Sequence, residues 1–288
     1  MFGGAITALV TPFINGNVDE NSLAELVNWQ IEKGIDGLLA CGCTGEAATL
    51  TGREHLLVIE KVMEIAGGRV PVIAGTGKND TASSIELSLE ASAMGVDGIL
   101  LITPYYNKPT PRGQIEHFTR VADAVDCPLI LYNVPGRTGT NMLPETIASL
   151  AEHPRIVAIK DAAGSAERVT AIRNLCDITI LSGDDPLAMA QIALGAEGVV
   201  SVVSNILPTE MKNLVALASA GELEQARAIQ DRLYPVIKAL FLETNPIPVK
   251  KALSIMGMIR NELRLPLVPM TEEMVPMLSG ILKEAGII

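Results

Sequence analysis

Gly34-Ile-Asp-Gly-Leu-Leu39, Gly95-Val-Asp-Gly-Ile-Leu100 and Gly195-Ala-Glu-Gly-Val-Val200 repeat one pattern along the chain. In each, a stretch with helical spacing leads to the first glycine, and an apolar run follows the second. The first glycine suits the position just past a helix, where φ is positive and a side chain is strained. A tight turn then feeds a buried strand, the αβ joint of a repeating βα unit.

Eight such strands start near Ala5, Gly37, Val70, Gly98, Pro128, Ile156, Ile178 and Val199. Most are short continuous apolar runs, such as residues 99–102 and 156–159, as expected of strands covered on both faces. The segments between them are amphipathic. Leu23, Leu26, Val27 and Ile31 form one apolar stripe, with Asp19 placed to cap the helix and Gly34 past its end. The pattern predicts an α/β chain: a closed (β/α)8 TIM barrel over residues 1–221. The rhythm then stops, and residues 222–288 read as a C-terminal helical extension, broken at Asn245-Pro-Ile-Pro248 and Leu265-Pro266. An open doubly wound sheet is the rival. Its phosphate fingerprints fail, because Asp80 occupies the third glycine position after Gly75 and Gly77. Val72 and Asn79 likewise break the P-loop pattern around Gly77-Lys78.

The chain has 288 residues and a formal net charge of −11 at pH 7, which disfavours nucleic acid and anionic membranes as partners. Small anionic substrates stay open, given a local cation. No apolar run approaches the ~20 residues of a membrane helix. The segment from Met1 to Phe13 lacks a basic start and reads as a strand, not a signal peptide. Cys41, Cys43, Cys127 and Cys176 form no disulfide framework, so a reducing cytoplasmic setting is expected.

In a TIM barrel, function sits where the strands end. Gly42-Cys-Thr-Gly-Glu46 follows the second strand, where glycines allow close backbone approach to a carboxylate, or simply make a tight turn. Thr103-Pro-Tyr-Tyr-Asn107 and Tyr132-Asn-Val-Pro-Gly-Arg-Thr-Gly139 place Tyr105, Tyr106 and Tyr132, three of the four tyrosines, at strand ends. Arg137 suits bidentate carboxylate recognition, or a surface ion pair. Lys160 directly follows Ile156-Val-Ala-Ile159, so its amine should enter the barrel mouth. An amine there is costly unless used, and desolvation makes it nucleophilic. Asp184 and Asp185 could suggest a metal, but one of them is read instead as the cap of a helix beginning at Pro186. His55, His117 and His153 lie on or beside helices without a ligand cluster, and no metal is expected.

GCTGEAATL, TPYYN, YNVPGRTG, IKDAAG, SGDD and NPIPVK, in this order, closely resemble the dihydrodipicolinate synthase family of pyruvate-dependent class I aldolases. The resemblance covers essentially the whole chain. It implies that pyruvate forms a Schiff base on Lys160. The derived enamine attacks L-aspartate 4-semialdehyde, and cyclisation gives 4-hydroxy-tetrahydrodipicolinate, the lysine and diaminopimelate precursor. Tyr132 matches the proton donor and acceptor, and Tyr106 a tyrosine reaching into a neighbouring subunit. Thr44 with Gly45, Gly183 and Val202 match the pyruvate site, and Arg137 the group holding the semialdehyde carboxylate. No cofactor is implied beyond the covalent lysine. The family is commonly a homotetramer built as a dimer of dimers.

Cys43 departs from this pattern. It takes the place of a relay threonine, and a thiol is the longer and weaker hydrogen bonder. The family's lysine-feedback site is matched in part by His55, Asn79 and Tyr105. Ser83 stands where lysine-inhibited members often carry a glutamate, so weak or absent inhibition is expected. Two other functions remain open on the sequence: another Schiff-base aldolase acting on a sugar-derived 2-keto acid, and a non-catalytic barrel that binds a small acid.

Overall fold

The computed structural model describes residues 2–288, leaving Met1 of the expected N-terminal strand segment outside the described residues. Eight parallel strands close into a barrel. They are β1 (Gly4–Ala8), β4 (Gly37–Ala40), β5 (Val72–Gly75), β6 (Gly98–Ile102), β7 (Leu129–Asn133), β8 (Ile156–Asp161), β9 (Thr179–Ser182) and β10 (Gly198–Ser201). β1 pairs with both β10 and β4, which closes the ring. Each start lies within two residues of its expected place. The largest offset, Val70 against Val72, comes from Pro71, which has no N–H to offer the ladder.

The repeated motif explains how the ring closes at its base. Gly34, Gly95 and Gly195 have φ of 85°, 82° and 106°, the left-handed conformation that ends each helix. The acid two residues later was not singled out by sequence, yet it does the same thing three times. The Asp36 carboxylate accepts from Ala5 N–H at 2.9 Å, that of Asp97 from Val72 N–H at 2.8 Å, and that of Glu197 from Ile180 N–H at 2.7 Å. Each acid thus satisfies the N–H of a residue at the start of a neighbouring strand. The second glycine makes room: a Cβ at Gly98 would lie 2.6 Å from the Phe2 ring.

Two apolar layers result. Phe2, Ile6, Leu39, Ile73, Leu100, Ile130, Ala158, Leu181 and Val200 fill the lumen, with Tyr132 in the same cluster. The larger cluster joins the outer strand faces to the surrounding helices. Strand residues alternate between these layers. Because Ala158 faces the lumen, Lys160 does too, while Asp161 turns away to Arg168, 2.7 Å distant.

Two short strands were not anticipated. β2 (Phe13–Ile14) and β3 (Asn17–Val18) form an antiparallel hairpin. Its Asn15-Gly16 turn has φ of 52° and 79°, and Asn-Gly is the usual signal for such a turn. Beyond residue 222 lie the helices Leu223–Ala239, Ile247–Ile255 and Val275–Glu284. Residues 257–274 carry no helix, consistent with Gly257, Pro266 and Pro269 in that stretch.

Candidate active site

Lys160 and Tyr132 lie directly opposite each other in the β7–β8 register. Parallel strands put residues in register side by side on one face, so amine and phenol meet at the top of the lumen. The Lys160 ammonium nitrogen is 4.3 Å from the Tyr132 ring centroid. Both side chains are buried. Burial holds Lys160 down to about 8 from 10.5, against the opposite pull of Cys43, Asp185 and Asp184. Burial also pushes the Tyr132 phenol well above its ordinary value, with Cys43 adding to the rise. Near neutral pH the lowered lysine therefore carries a larger share of free, nucleophilic amine than a solvated one, while the phenol stays protonated as a donor.

Around them is a cavity of about 230 Å³ lined by Cys43, Thr44, Arg137, Gly183, Asp184, Asp185 and Val202 as well as Lys160 and Tyr132. A second cavity of about 320 Å³ adjoins it, sharing Cys43, Tyr132 and Arg137 and running past Ala47, Lys78 and Tyr105. Gly183 is required by space: a Cβ there would press on the Ala162 methyl at 2.6 Å and on Lys160 Cε at 3.2 Å. At Gly45, a Cβ would meet Leu9 O at 3.1 Å, and its N–H is engaged with Gly42 O at 3.1 Å.

Asn245 joins the two anion-binding groups. Its Nδ2 donates to Thr44 Oγ1 at 2.9 Å, and its carbonyl accepts from Arg137 Nη2 at 2.8 Å. With a lone pair on the Thr44 oxygen occupied, the hydroxyl hydrogen is free to donate into the cavity. Arg137 makes no ion pair among the described residues, leaving the rest of its fork for a ligand.

The chain matches a family model described as the dihydrodipicolinate synthetase family over residues 1–285. It belongs to that family. A 4-hydroxy-tetrahydrodipicolinate synthase of Pelobacter propionicus is 51% identical over 290 residues, with 100% of both chains covered. The structure of a dihydrodipicolinate synthase from Acinetobacter baumannii complexed with pyruvate superposes with a TM-score of 0.98 at 46% identity, covering 100% of both chains. A structure described as a monomeric dihydrodipicolinate synthase variant gives 0.98 at 42%, covering 100% of this chain and 98% of that one. A TIM barrel with C-terminal helices is therefore the family's fold as well as this chain's.

Against this family background, some expected residues do not meet the others. Tyr106 is 87% exposed with φ of 72°, and lines neither cavity. Tyr105 lines the larger cavity, where burial raises its phenol. His55 is buried, with Nε2 on Gly75 O at 2.7 Å, and burial lowers it to about 4, so its ring is neutral. The Asn79 carbonyl accepts from Asn107 Nδ2 at 2.7 Å.

The capping role expected of one of Asp184 and Asp185 is not what the structure shows. Residues Asp185–Leu187 form a short 3-10 turn with no side-chain cap. Asp185 Oδ2 instead accepts from Val202 N–H at 2.9 Å and Val203 N–H at 3.1 Å, and Asp184 accepts from Gly164 N–H at 3.0 Å. Each acid finds its donors in another loop, which proximity in sequence does not reveal.

A second group missed by sequence supports the Gly42–Glu46 loop from behind. Lys250, fully buried, reaches Glu46 Oε1 at 2.6 Å and Thr11 O at 2.9 Å, and lies 4.2 Å from the Phe13 ring centroid. The other Glu46 oxygen accepts from Arg264 N–H at 3.1 Å. Thr11 Oγ1 in turn donates to Gly45 O at 2.7 Å. The C-terminal segment thus fixes the loop that carries Cys43 and Thr44. A lysine in the apolar run after NPIP was the available signal.

Proposed function

We propose that this chain condenses pyruvate with L-aspartate 4-semialdehyde through a Schiff base on Lys160. The observation that carries the reading is a dry amine without an ion pair, set in register beside a buried phenol. Membership of the family and the similarity to named synthases support the substrates.

The neutral Lys160 amine adds to the keto carbon of pyruvate, and water leaves with the keto oxygen. The protonated imine draws electrons from the methyl group, which loses a proton to the Tyr132 relay and becomes an enamine carbon. That carbon attacks the aldehyde, whose oxygen takes a proton. The amine of the semialdehyde then displaces Lys160 from the imine carbon, closing the ring and freeing the lysine. Thr44 holds the pyruvate carboxylate, Gly183 and Val202 shape the cavity, and Arg137 holds the acceptor carboxylate. Gly45 contributes close backbone approach. Cys43 occupies the relay position beside Tyr132. No metal or organic cofactor takes part.

Tyr106, exposed and held at positive φ, completes the relay of a neighbouring subunit in a cytoplasmic homotetramer. Tyr105, with His55 and Asn79 behind it, marks a regulatory site. With Ser83 where lysine-inhibited members often carry a glutamate, that site responds weakly or not at all to lysine, so strong inhibition at micromolar lysine would contradict this part.

A coupled assay with aspartate semialdehyde tests the acceptor. Arg137→Ala is expected to keep the pyruvate adduct and lose condensation; full condensation activity in that variant would refute the assignment. Cleavage of sugar-derived 2-keto acids in place of condensation would favour the other aldolase reading, and absence of any adduct would favour a non-catalytic barrel.

A further inference from the structure

Asp185 is a buried carboxylate that the mechanism above leaves unused. Oδ2 is held by the N–H groups of Val202 and Val203. Oδ1 is buried and has no hydrogen-bond partner. The residue is 3% exposed and lines the same cavity as Lys160. An unpaired carboxylate oxygen in a dry site is costly unless a positive charge arises nearby. The resting amine supplies one only while it is protonated, and loses it to react; the Schiff base supplies one again, since the imine must stay protonated to act as an electron sink.

We propose that Asp185 is the fixed counter-charge of the Lys160 iminium, a positioning residue that stabilises the charged intermediate without forming an ion pair that would lock the free amine. Two backbone donors favour the ionised carboxylate against burial and hold it in place, so the field is set before the charge develops. The same bonds tie the loop after β9 to the residue after β10, Val202, which lines the pyruvate cavity. Asp184 differs. It is less buried, and its carboxylate is turned to Gly164 N–H on the loop after β8. The charged and titratable groups facing Lys160 are Cys43, Tyr132, Arg137, Asp184 and Asp185. Burial raises the Asp185 carboxyl above its ordinary value, against the downward pull of Ser201, the two amides and Lys160 itself.

This inference rests on Lys160 being the Schiff-base lysine, and the test separates the two claims. Asp185→Asn keeps an oxygen for both N–H groups and removes only the charge. Losing a nearby negative charge lowers the pKa of the amine. The acid limb of kcat/KM for pyruvate should therefore move down by at least about half a pH unit. At the same time kcat should fall at least about tenfold, while borohydride still traps pyruvate on Lys160. An unchanged pH profile with normal kcat would overturn the proposal, and so would a larger shift in Asp184→Asn than in Asp185→Asn. If Asp185→Asn does not fold, Asp185→Glu serves in its place. It keeps the charge and should hold the wild-type acid limb even if kcat drops; a downward shift in that variant would overturn the proposal. Absence of an adduct in the wild-type chain would instead refute the role of Lys160.

Discussion

Replacing Lys160 by methionine should make the protein more stable at neutral pH while abolishing its chemistry. Lys160 is 6% exposed, and its amine is held at about 8 in the folded chain, against 10.5 in a solvated one. At about 1.4 kcal/mol per pH unit, that depression means folding loses about 3 kcal/mol to the buried ammonium at pH 7. The attraction of Asp184 and Asp185 is already contained in that value, so a net gain of up to about 3 kcal/mol is expected. Methionine fills much of the space of the lysine stem, keeping the cavity term small. The pH dependence has a definite sign. Between about 8 and 10.5 the native state binds fewer protons than the unfolded state, so wild-type stability rises through that window. The penalty is complete below about 8 and gone above 10.5. Urea unfolding of both proteins at pH 7 and pH 10 reads the difference directly, because groups common to both cancel. The variant should be more stable at pH 7, and the gap should narrow to a fraction of that value at pH 10. A variant less stable at pH 7, or a gap that does not shrink, would refute the claim that the site stores its reactivity as desolvation.

Cys43→Thr should raise kcat several-fold and remove sensitivity to thiol-alkylating reagents, since a hydroxyl bonds at shorter range than sulfur; unchanged kcat would show that the relay tolerates the thiol. Asn245→Ala removes one hydrogen bond to Thr44, worth about 1 kcal/mol, and should raise KM for pyruvate about fivefold in steady-state kinetics. Its backbone carbonyl, and hence the Arg137 contact, remains. Lys250→Met strands the buried Glu46 carboxylate and should cost about 3–5 kcal/mol in denaturant unfolding. Adding Glu46→Gln should recover part of that loss, and the two effects should be non-additive.

The barrel was legible because its joints use a local rule. A glycine at positive φ, an acid and a second glycine recur at three of the joints where a helix turns into a strand, and all three residues are close in sequence. Lys160 was legible for a similar reason. It extends an apolar strand by one inward-facing position, and the alternation along residues 156–160 aims it without knowledge of the partners. Tyr132 and Arg137 stand at another strand end and follow the same logic.

What escaped was carried by contacts across long stretches of chain. Asn245 reads as the residue before a helix break, yet it bonds Thr44 and Arg137, each more than a hundred residues away. Lys250 stands in an apolar run, but nothing near it in sequence names its partner, Glu46, against which it is buried. Asp185 sits where a cap belongs, but its donors are on the next loop. The β2–β3 hairpin is the exception: Asn15-Gly16 was a local signal that went unread.

The most direct measurement adds sodium borohydride to the protein with pyruvate, followed by intact mass and peptide mapping. A single reduced pyruvate adduct on the peptide containing Lys160, absent in Lys160→Met, is the expected result. A protein that gains no mass, or gains it on any other lysine, would contradict the account at its centre.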